Sequence, residues 1–502
     1  MRIHVQLLQV ASCSLGGNLT ALDCLLVFPY LLSDDPTQKR ARSPFPPLGL
    51  MYVAASLRRS GYAVKILDCT FMRDIHEAEE TLRTTDARYI GIHSMITLTR
   101  NAVALAKTAK AVGKTVIYGG PDPSTAPEKY LKRGFGDYVV IGEGEKAGVE
   151  LFEALDRGET PLNVKGLVFL NDEGSVITTP GRTLEKELDS ILLPARDLID
   201  NERYKEVWRQ DHGYALTSVM TTRGCPYGCF FCSEKLVFGR RYAVRSAQNV
   251  ANELEEIVRV YDYDRVWFAD DIFPLRKERT IQICAEILSR ELQLSWSCLA
   301  RADLVDEEAL AAMKRAGCEL VFFGVESGSQ RMLDEMNRMM TIEQIIAGTR
   351  AAKKVGLRIH AFMMVGFPGE DYESLGLTIN FLRELNPDEF SFTVAYPLPG
   401  TELFHMVEPI DDQLEWRDPS ENRLLFKSEV PEWGLKLAVW KAKYEFYLYR
   451  RAKRGQHLFL VAFYIFKAPT DILLRISIPR KAMQPRYSKC AVMSEVISKL
   501  PR

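Results

Sequence analysis

Two kinds of hydrophobic pattern alternate along the first 150 residues. Short apolar runs, typical of buried strands, are separated by longer stretches in which apolar positions recur at helical spacing. Strands are predicted at 3–8, 63–67, 89–93, 115–118 and 138–141, and helices at 48–60, 100–112, 124–133 and 145–156. Regular alternation of this kind predicts an α/β domain with a doubly wound parallel sheet, whose ligands bind at the carboxyl ends of the strands.

A second alternation of strands and helices begins near residue 218 and contains six predicted strands. Its strands are predicted at 218–222, 265–269, 294–299, 319–324, 358–364 and 389–395, and its helices at 246–260, 277–290, 306–316, 341–355 and 371–385. Six strand–helix units predict a partial (β/α)6 barrel, because eight such units are needed to close a barrel. By the rule that governs closed barrels, the chemistry is expected at the carboxyl ends of these strands.

The segment between the two alternations breaks the rhythm. It holds a predicted hairpin, 166–170 and 175–179, and prolines at 161, 180 and 194, which favour a connector. The predicted domains are therefore 1–156, a connector at 157–214, the barrel at 215–404 and a small helical region at 405–502. That last region is rich in aromatic residues (Trp440, Tyr444, Phe446, Tyr447, Tyr449), which suits a helix closing the barrel mouth over an apolar or lipid-like substrate, or plain helix packing.

Charge and hydropathy limit the partners. The formal net charge of -1 provides no basic field for a nucleic-acid substrate. No stretch reaches the roughly 18 apolar residues that span a bilayer. The nearest, 458–466, follows Arg450, Arg451, Lys453 and Arg454, so it is either a buried helix or a helix that lies at a membrane surface.

Ten cysteines are present, and three of them cluster between residues 225 and 232. The others follow no disulfide framework, which favours a reducing, cytoplasmic setting. Residues 10–13 look like a lipoprotein cleavage box, but the segment before them lacks an apolar signal core.

The clustered residues Cys225, Cys229 and Cys232 place three thiols in a loop that follows the first barrel strand. Three thiolates can bind one face of a metal cluster and leave a fourth coordination site open, whereas a structural zinc closes its shell with a fourth protein ligand. The alternative is a zinc site completed by a distant residue such as His212. No second Cys or His pair stands at a zinc-finger spacing.

The spacing Cys-x-x-x-Cys-x-aromatic-Cys, after the first strand of a partial barrel, resembles the radical S-adenosylmethionine (SAM) superfamily. The resemblance covers about residues 215–400 and implies a 4Fe–4S cluster whose open iron binds SAM. Reductive cleavage then gives methionine and a 5′-deoxyadenosyl radical, with the electron coming from an external flavodoxin- or ferredoxin-like donor.

The same resemblance assigns SAM contacts to residues at the ends of later strands. Asp270 and Asp271 would receive the methionyl ammonium, Arg301 its carboxylate, and Glu326 and Ser327 the ribose. The remaining contacts would be with the adenine, from Phe231, Gly366 and Gly369. Each segment alone is equally well explained as a helix cap, a surface ion pair or a turn.

The first domain resembles the Rossmann-like cobalamin-binding domain of one branch of this superfamily. The implied cobalamin contacts come from loops after the strands: Ser94, Thr97, Gly119, Gly120, Pro121, Gly142, Glu143 and Gly144. Asp74-Ile75-His76 only approximates the Asp-x-His-x-x-Gly motif that ligates cobalt, so His76 is expected to be an exposed helix residue. His93 is better placed, but the resemblance implies a corrin held without a protein histidine. The alternative is a flavodoxin-like domain with another ligand or none.

Most relatives in this branch are methylases. The resemblance implies methyl transfer to an unactivated centre, most often carbon, with two SAM molecules consumed per turnover. A cobalamin-dependent cyclase or rearrangement enzyme is the first alternative. An RNA methylthiotransferase is disfavoured, because Cys13, Cys24 and Cys69 do not fit its additional cluster. A corrin or iron–sulfur electron carrier is the alternative without catalysis.

Overall fold

The computed structural model describes residues 21–408, 423–456 and 458–478. Its first part is a seven-stranded sheet with the strand order β2-β1-β3-β4-β5-β6-β7. The strands are β1 (Cys24–Phe28), β2 (Val64–Asp68), β3 (Tyr89–His93), β4 (Thr115–Gly119), β5 (Tyr138–Val140), β6 (Leu167–Leu170) and β7 (Val176–Thr178). Strands β1 to β5 are parallel, whereas β6 and β7 are antiparallel to their neighbours. The doubly wound sheet is thereby confirmed.

Helices cover both faces of this sheet. They are α1 (Gln38–Ala41), α2 (Leu48–Arg59), α3 (Ile75–Thr84), α4 (Thr99–Ala111), α5 (Pro121–Thr125), α6 (Pro127–Lys132) and α7 (Gly144–Asp156). One apolar cluster joins α3 and α4 to the sheet, and a second joins α2 and α7 to its opposite face. The site depends on the α2 and α7 face.

Two sequence expectations change here. The strand predicted at 3–8 and the cleavage-box residues 10–13 lie outside the described residues, and the sheet instead contains β1, a wholly apolar run that the prediction missed. The hairpin assigned to the connector is β6 and β7, which extends the first sheet because β6 pairs with β5. Helix α8 (Asn201–His212) then leads to the barrel.

The second part contains a six-stranded parallel sheet with the order β15-β14-β13-β12-β11-β8. Its strands are β8 (Leu216–Val219), β11 (Arg265–Phe268), β12 (Ser295–Ala300), β13 (Cys318–Glu326), β14 (Arg358–Val365) and β15 (Glu389–Val394), and a separate two-residue ladder joins β9 (Thr222–Arg223) to β10 (Ala243–Val244). The sheet confirms the predicted partial barrel. Its six strands lie within a few residues of the predicted ranges.

The barrel helices fall where the periodicity placed them, and hydrogen-bonded caps at Ser246, Asp306, Thr341 and Asp371 explain four of their starts. In chain order the helices are α9 (Glu234–Val237), α10 (Ala247–Arg259), α11 (Lys277–Ser289), α12 (Glu307–Arg315), α13 (Gln330–Glu335), α14 (Ile342–Lys354), α15 (Tyr372–Leu385) and α16 (Glu402–Met406).

Two long helices, α17 (Glu432–Lys453) and α18 (Leu458–Ser477), form the C-terminal region. Helix α17 packs on the barrel through Leu435, Ala438 and Phe446, and Phe446 contacts Phe390 of β15 edge to face at 4.8 Å. Trp440, Tyr444 and Tyr447 remain exposed on this helix. Within the described ranges, no helix has both the length and the apolarity needed to cross a bilayer.

Candidate functional site

A closed loop carries the cysteine triplet. The ladder between β9 and β10 closes this loop where it leaves the barrel. Gly224 has φ +80°, and a Cβ there would lie 2.2 Å from the carbonyl oxygen of Arg241, so this neck requires glycine. Across the barrel, Asn337 donates to the carbonyl oxygen of Gly228 at 2.7 Å. The loop is therefore anchored at its neck and at its centre.

The three cysteines of the loop are free thiols, and Arg338 Nη1 donates to Sγ of Cys229 at 3.2 Å. Burial raises the pKa of Cys225 to about 11 and that of Cys232 to about 12. Buried thiolates need a positive partner, which iron supplies. The buried atoms Arg338 Nε and Arg301 Nη1 have no hydrogen-bond partner within the described part of the chain. Unpaired donors beside three thiols fit an anionic cluster with its bound ligand.

A single metal ion fits less well. In the described residues, no three His, Cys, Asp or Glu side chains stand close enough together to hold one ion. A 4Fe–4S cluster differs because each thiolate binds a different iron, which allows the ligands to stand further apart. The zinc alternative is contradicted at its fourth ligand, because His212 Nε2 lies 2.9 Å from the carbonyl oxygen of Ala41 and its ring packs on Trp208.

The two aspartates after β11 have different surroundings. The Asp270 carboxylate accepts hydrogen bonds from the backbone N–H groups of Thr221 and Thr222 and from the Thr221 hydroxyl. Both oxygens thus hold the start of the cysteine loop, and the predicted ammonium contact of Asp270 stays a prediction. Asp271 instead adjoins Glu234, and burial together with that neighbouring carboxyl raises its pKa to about 9. Its predicted SAM contact stays a prediction.

Arg301 and Glu326 lie at the ends of β12 and β13. Arg301 pairs with Asp303, and its guanidinium lies 3.7 Å from the ring centre of Tyr227 in the cysteine loop, so one predicted ligand is already a support for that loop. Glu326 is buried at a β-bulge with φ +63°, and Arg338 Nη2 is 3.7 Å from its carboxylate. Left-handed backbone at a buried, non-glycine residue is strained, and such strain clusters at ligand sites.

The remaining predicted SAM residues differ in how open they are. The Ser327 hydroxyl bonds Thr378 and accepts from the N–H of Ser329, so it has a packing role and not a free ribose contact. Gly366, with φ +79°, lies beneath Leu435, whose Cδ1 would be 2.8 Å from an added Cβ. The Gly369 carbonyl accepts from Arg331, and the Phe231 ring packs partly against the barrel core.

Glu370, which follows this turn, is a buried carboxyl that the sequence analysis did not select. It accepts the N–H of Gly366, while its Oε1 has no partner among the described residues. Burial raises its pKa to about 8.

A cavity of about 310 Å³ lies between the α2 and α7 face of the first sheet and the cysteine loop. Its lining extends from Leu57 and Phe152 to the loops after β4 and β5, and Glu234, Val237 and Phe238 contribute from the barrel side. The five predicted residues Gly119, Gly120, Pro121, Gly142 and Gly144 all line it. The backbone loops predicted to hold cobalamin therefore face the cysteine loop across one apolar space.

Three other predicted cobalamin residues have different positions. Glu143 reaches the cavity wall, but its carboxylate bonds Arg223 and the N–H of Glu185. The Ser94 hydroxyl is buried and bonds Tyr130, which removes it from the cavity. Thr97 lines an adjoining cavity of about 410 Å³.

Two residues that the sequence analysis did not select connect the site. Arg223, next to the cysteine triplet, bonds both Glu143 and Glu145 of the first domain and lies 5.6 Å from the ring centre of Tyr52. Arg338 reaches Cys229 from the loop after α13. Neither residue stands in a recognisable pattern, because their partners are distant in sequence.

The two histidines considered as cobalt ligands lie in different surroundings. His76 is an exposed helix residue that pairs with Glu79, as expected. His93 ends β3 and lines both cavities, and burial lowers its pKa to about 4, so its imidazole is neutral.

Two family descriptions match the chain: "Radical SAM superfamily" over residues 219–382 and "B12 binding domain" over residues 39–152. An uncharacterized methyltransferase, PH0819, of Pyrococcus horikoshii is 35% identical over 364 residues, covering 72% of this chain and 78% of that protein. The anaerobic magnesium-protoporphyrin IX monomethyl ester cyclase of Rubrivivax gelatinosus is 28% identical over 381 residues, covering 74% of this chain and 67% of that protein.

Among solved structures, the radical SAM methyltransferase TsrM of Kitasatospora setae, with cobalamin and a 4Fe-4S cluster bound, superposes with a TM-score of 0.70. The identity is 19%, and the match covers 84% of this chain and 89% of that chain. The two proteins share the arrangement of a parallel-sheet domain followed by a partial barrel.

Proposed function

Because the chain belongs to the radical SAM superfamily and carries a B12-binding domain, we propose that it methylates an unactivated carbon of an apolar small molecule. Its cofactors are a 4Fe–4S cluster, SAM and cobalamin. We further propose that each turnover consumes two SAM molecules, one as the methyl source and one as the radical source, and that a small reduced protein supplies the electron.

The observation that carries this proposal is the wall shared by the two cofactor regions. Glu234, Val237 and Phe238, a few residues after Cys232, line the same cavity as the glycine loops of the first sheet. When bound, the cluster supplies the electron that cleaves SAM, and cobalamin carries the methyl group. The chain itself contributes three thiols, buried guanidinium groups and a mostly apolar cavity.

Product stoichiometry tests the proposal. Reconstituted protein with a reductant and substrate should form S-adenosylhomocysteine and 5′-deoxyadenosine in equal amounts as substrate is consumed. Formation of 5′-deoxyadenosine alone would favour the cyclase alternative, which the match to the Rubrivivax enzyme makes the natural rival. If neither product forms, the protein is an electron carrier and the enzymatic proposal fails.

The C-terminal helices support an apolar substrate that is met at a membrane surface in the cytosol. Of the exposed large apolar residues on α18, five lie on one face of the helix: Leu458, Val461, Ile465, Ile472 and Ile476. Basic residues Arg451, Lys453 and Arg454 precede that face. An apolar stripe with flanking basic residues is the composition of helices that lie in anionic membrane interfaces.

Vesicle binding tests this contact. The full-length protein should sediment with phosphatidylglycerol vesicles more than with phosphatidylcholine vesicles, and Ile465→Glu should reduce the bound fraction several-fold. Val260→Glu, which changes an equally exposed apolar residue on the barrel, is the matched control. Equal loss in both variants, or equal binding to both lipids, would remove the membrane from the proposal.

A further inference from the structure

The cavity between the first sheet and helices α2 and α7 is a slot. Leu57, Val53 and Phe152 line its interior, and Gly120, Gly142 and Gly144 line the end at the carboxyl edge of the sheet. A slot of about 310 Å³ between a sheet and two helices accommodates a flat heterocyclic base, but a corrin ring is too wide for it. If the nucleotide tail of cobalamin enters the slot, the corrin stays outside, and the base in the tail is separated from the cobalt.

His93 stands at the opening of this slot. It is the last residue of β3, and its side chain lines both the slot and the adjoining cavity of about 410 Å³. Neither imidazole nitrogen has a hydrogen-bond partner in the described part of the chain, and the side chain is half-buried and open to the two cavities that it lines. An imidazole that faces a cavity and bonds no protein group is available to a ligand that fills the cavity.

The surroundings of His93 hold its ring in place. The Phe28 ring packs beside it at a centroid distance of 5.8 Å. On the other side is Gly120, with φ +108°, where an added Cβ would lie 2.9 Å from Nδ1 of His93. The backbone therefore leaves room for an imidazole that makes no bond of its own.

Other side chains near this opening already have partners or do not reach it. Asp35 bonds Tyr30 and the backbone N–H groups of Thr37 and Gln38. Ser94 bonds Tyr130. His76 is on a surface helix and pairs with Glu79. Of the side chains considered as cobalt ligands, His93 is thus the one that faces these two cavities without a hydrogen-bond partner in the described residues.

We propose that His93 is the protein ligand of cobalt in the cobalamin that binds here. A neutral imidazole is the commonest nitrogen ligand of transition metals in proteins. The inference rests on the proposed function, because it requires cobalamin in this cavity. It goes beyond the family resemblance, which implies a corrin held without a protein histidine.

Electron paramagnetic resonance of the Co(II) state tests the ligand directly. The full-length protein is loaded with cobalamin and reduced by one electron, once from unlabelled cells and once from cells fed histidine enriched in the heavier stable nitrogen isotope. With His93 bound, each cobalt line of the unlabelled protein shows a threefold nitrogen splitting, and labelled histidine converts it to a twofold splitting. His93→Ala should lose the nitrogen splitting, and the exposed-residue control His76→Ala should keep it.

Three results would overturn the inference in different ways. A threefold splitting that persists in the labelled protein means that the cobalamin nucleotide base is the ligand. Absence of any splitting means that no nitrogen binds cobalt, and in both cases the proposed function survives. If the wild-type protein retains no cobalamin after gel filtration, both the inference and the proposed function fail. The isotope comparison uses only wild-type protein, so it does not depend on whether His93→Ala folds.

Discussion

The carboxyl edges of the two parallel sheets face each other, yet they are built in opposite ways. The barrel edge consists of side chains with committed chemistry, among them Cys229, Asp270 and Arg338. At the edge of the first sheet, Gly119, Gly120 and Gly142 carry no side chains, and they line an apolar slot. The barrel edge supplies the cluster thiols, and the first edge supplies open space beside the His93 imidazole. Residue identity therefore sets the cluster ligands, whereas the proposed cobalamin site depends mainly on backbone shape.

The largest effect is expected from removing one cysteine ligand of the cluster. Cys229→Ala should reduce formation of 5′-deoxyadenosine to background, because the cluster loses one of its three protein thiolates. Cobalamin binding should persist, because the slot is unchanged. Iron content, product formation and bound cobalamin are measured together, with the buried Cys284→Ala as control. Loss of cobalamin in Cys229→Ala would show that the two edges are not independent.

Arg223 joins the two edges, and its removal has the next largest effect. Arg223→Met leaves the buried carboxylates of Glu143 and Glu145 without their cation, which should lower the free energy of unfolding by about 3–5 kcal/mol. Urea denaturation of the apo protein measures the change. The exposed pair Arg157–Glu159 provides the control, since Arg157→Met should leave the free energy of unfolding nearly unchanged. Equal losses of stability in Arg223→Met and Arg157→Met would mean that the buried ion pairs of Arg223 stabilise the protein no more than an exposed ion pair does.

Glu370, at the barrel edge, should also make the stability of the protein depend on pH. The folded state holds the proton of Glu370 up to about pH 8, whereas an unfolded glutamate releases it near its usual pKa of 4.5. Stability from this carboxyl is therefore full below pH 4.5 and is lost as the pH rises to about 8.

Glu370→Gln should remove that loss and so flatten the curve of unfolding free energy against pH. Chemical denaturation at several pH values measures it. Glu373→Gln, an exposed position on the helix that follows Glu370, should follow the wild-type curve. A wild-type curve for Glu370→Gln would contradict the buried, protonated carboxyl.

The smallest effect is expected at two neighbouring glycines of the first sheet, one with a crowded Cβ position and one with an open one. A Cβ at Gly120 would lie 2.4 Å from the carbonyl oxygen of Ser94, so Gly120→Ala should destabilise the apo protein by about 2 kcal/mol. A Cβ at the adjacent Gly119 meets nothing within 4 Å, so Gly119→Ala should leave the apo protein unchanged. Thermal denaturation compares the two.

Gly119→Ala should nevertheless weaken cobalamin binding, because the open space beside Gly119 belongs to the cofactor. Equilibrium dialysis with hydroxocobalamin measures this affinity. Unchanged affinity in Gly119→Ala would place the cofactor elsewhere and would break the comparison between the two edges.

Hydrophobic periodicity predicted the two sheets well because both are nearly continuous runs of buried strand and helix. The first strand is the exception. Residues 3–8 alternate apolar and polar positions, as a half-buried strand does, whereas Cys24–Phe28 is a short continuous apolar run. Pairing with β2 and β3 identifies Cys24–Phe28 as a central strand of the described sheet. The hairpin of β6 and β7 was assigned to a connector for a similar reason, since its partner β5 lies in the preceding domain.

Site residues were predictable by location and not by their bonds. The pattern of strand ends selected Asp270, Ser327 and Glu143 as site residues. The pattern could not show that tertiary partners already occupy their oxygens. The reverse holds for His93, whose significance comes from lacking any partner in the described structure. Arg223 and Arg338 were missed because isolated arginines carry no spacing signal.

The central claim is that this pair of edges transfers a methyl group. Anaerobic incubation of the reconstituted protein with methyl-deuterated SAM and candidate apolar metabolites, followed by mass spectrometry, tests it most directly. We expect a product that carries a fully deuterated methyl group, formed by the wild-type protein and absent with Cys229→Ala. Substrate consumed with 5′-deoxyadenosine formed, but with no deuterium in the product, would contradict methyl transfer.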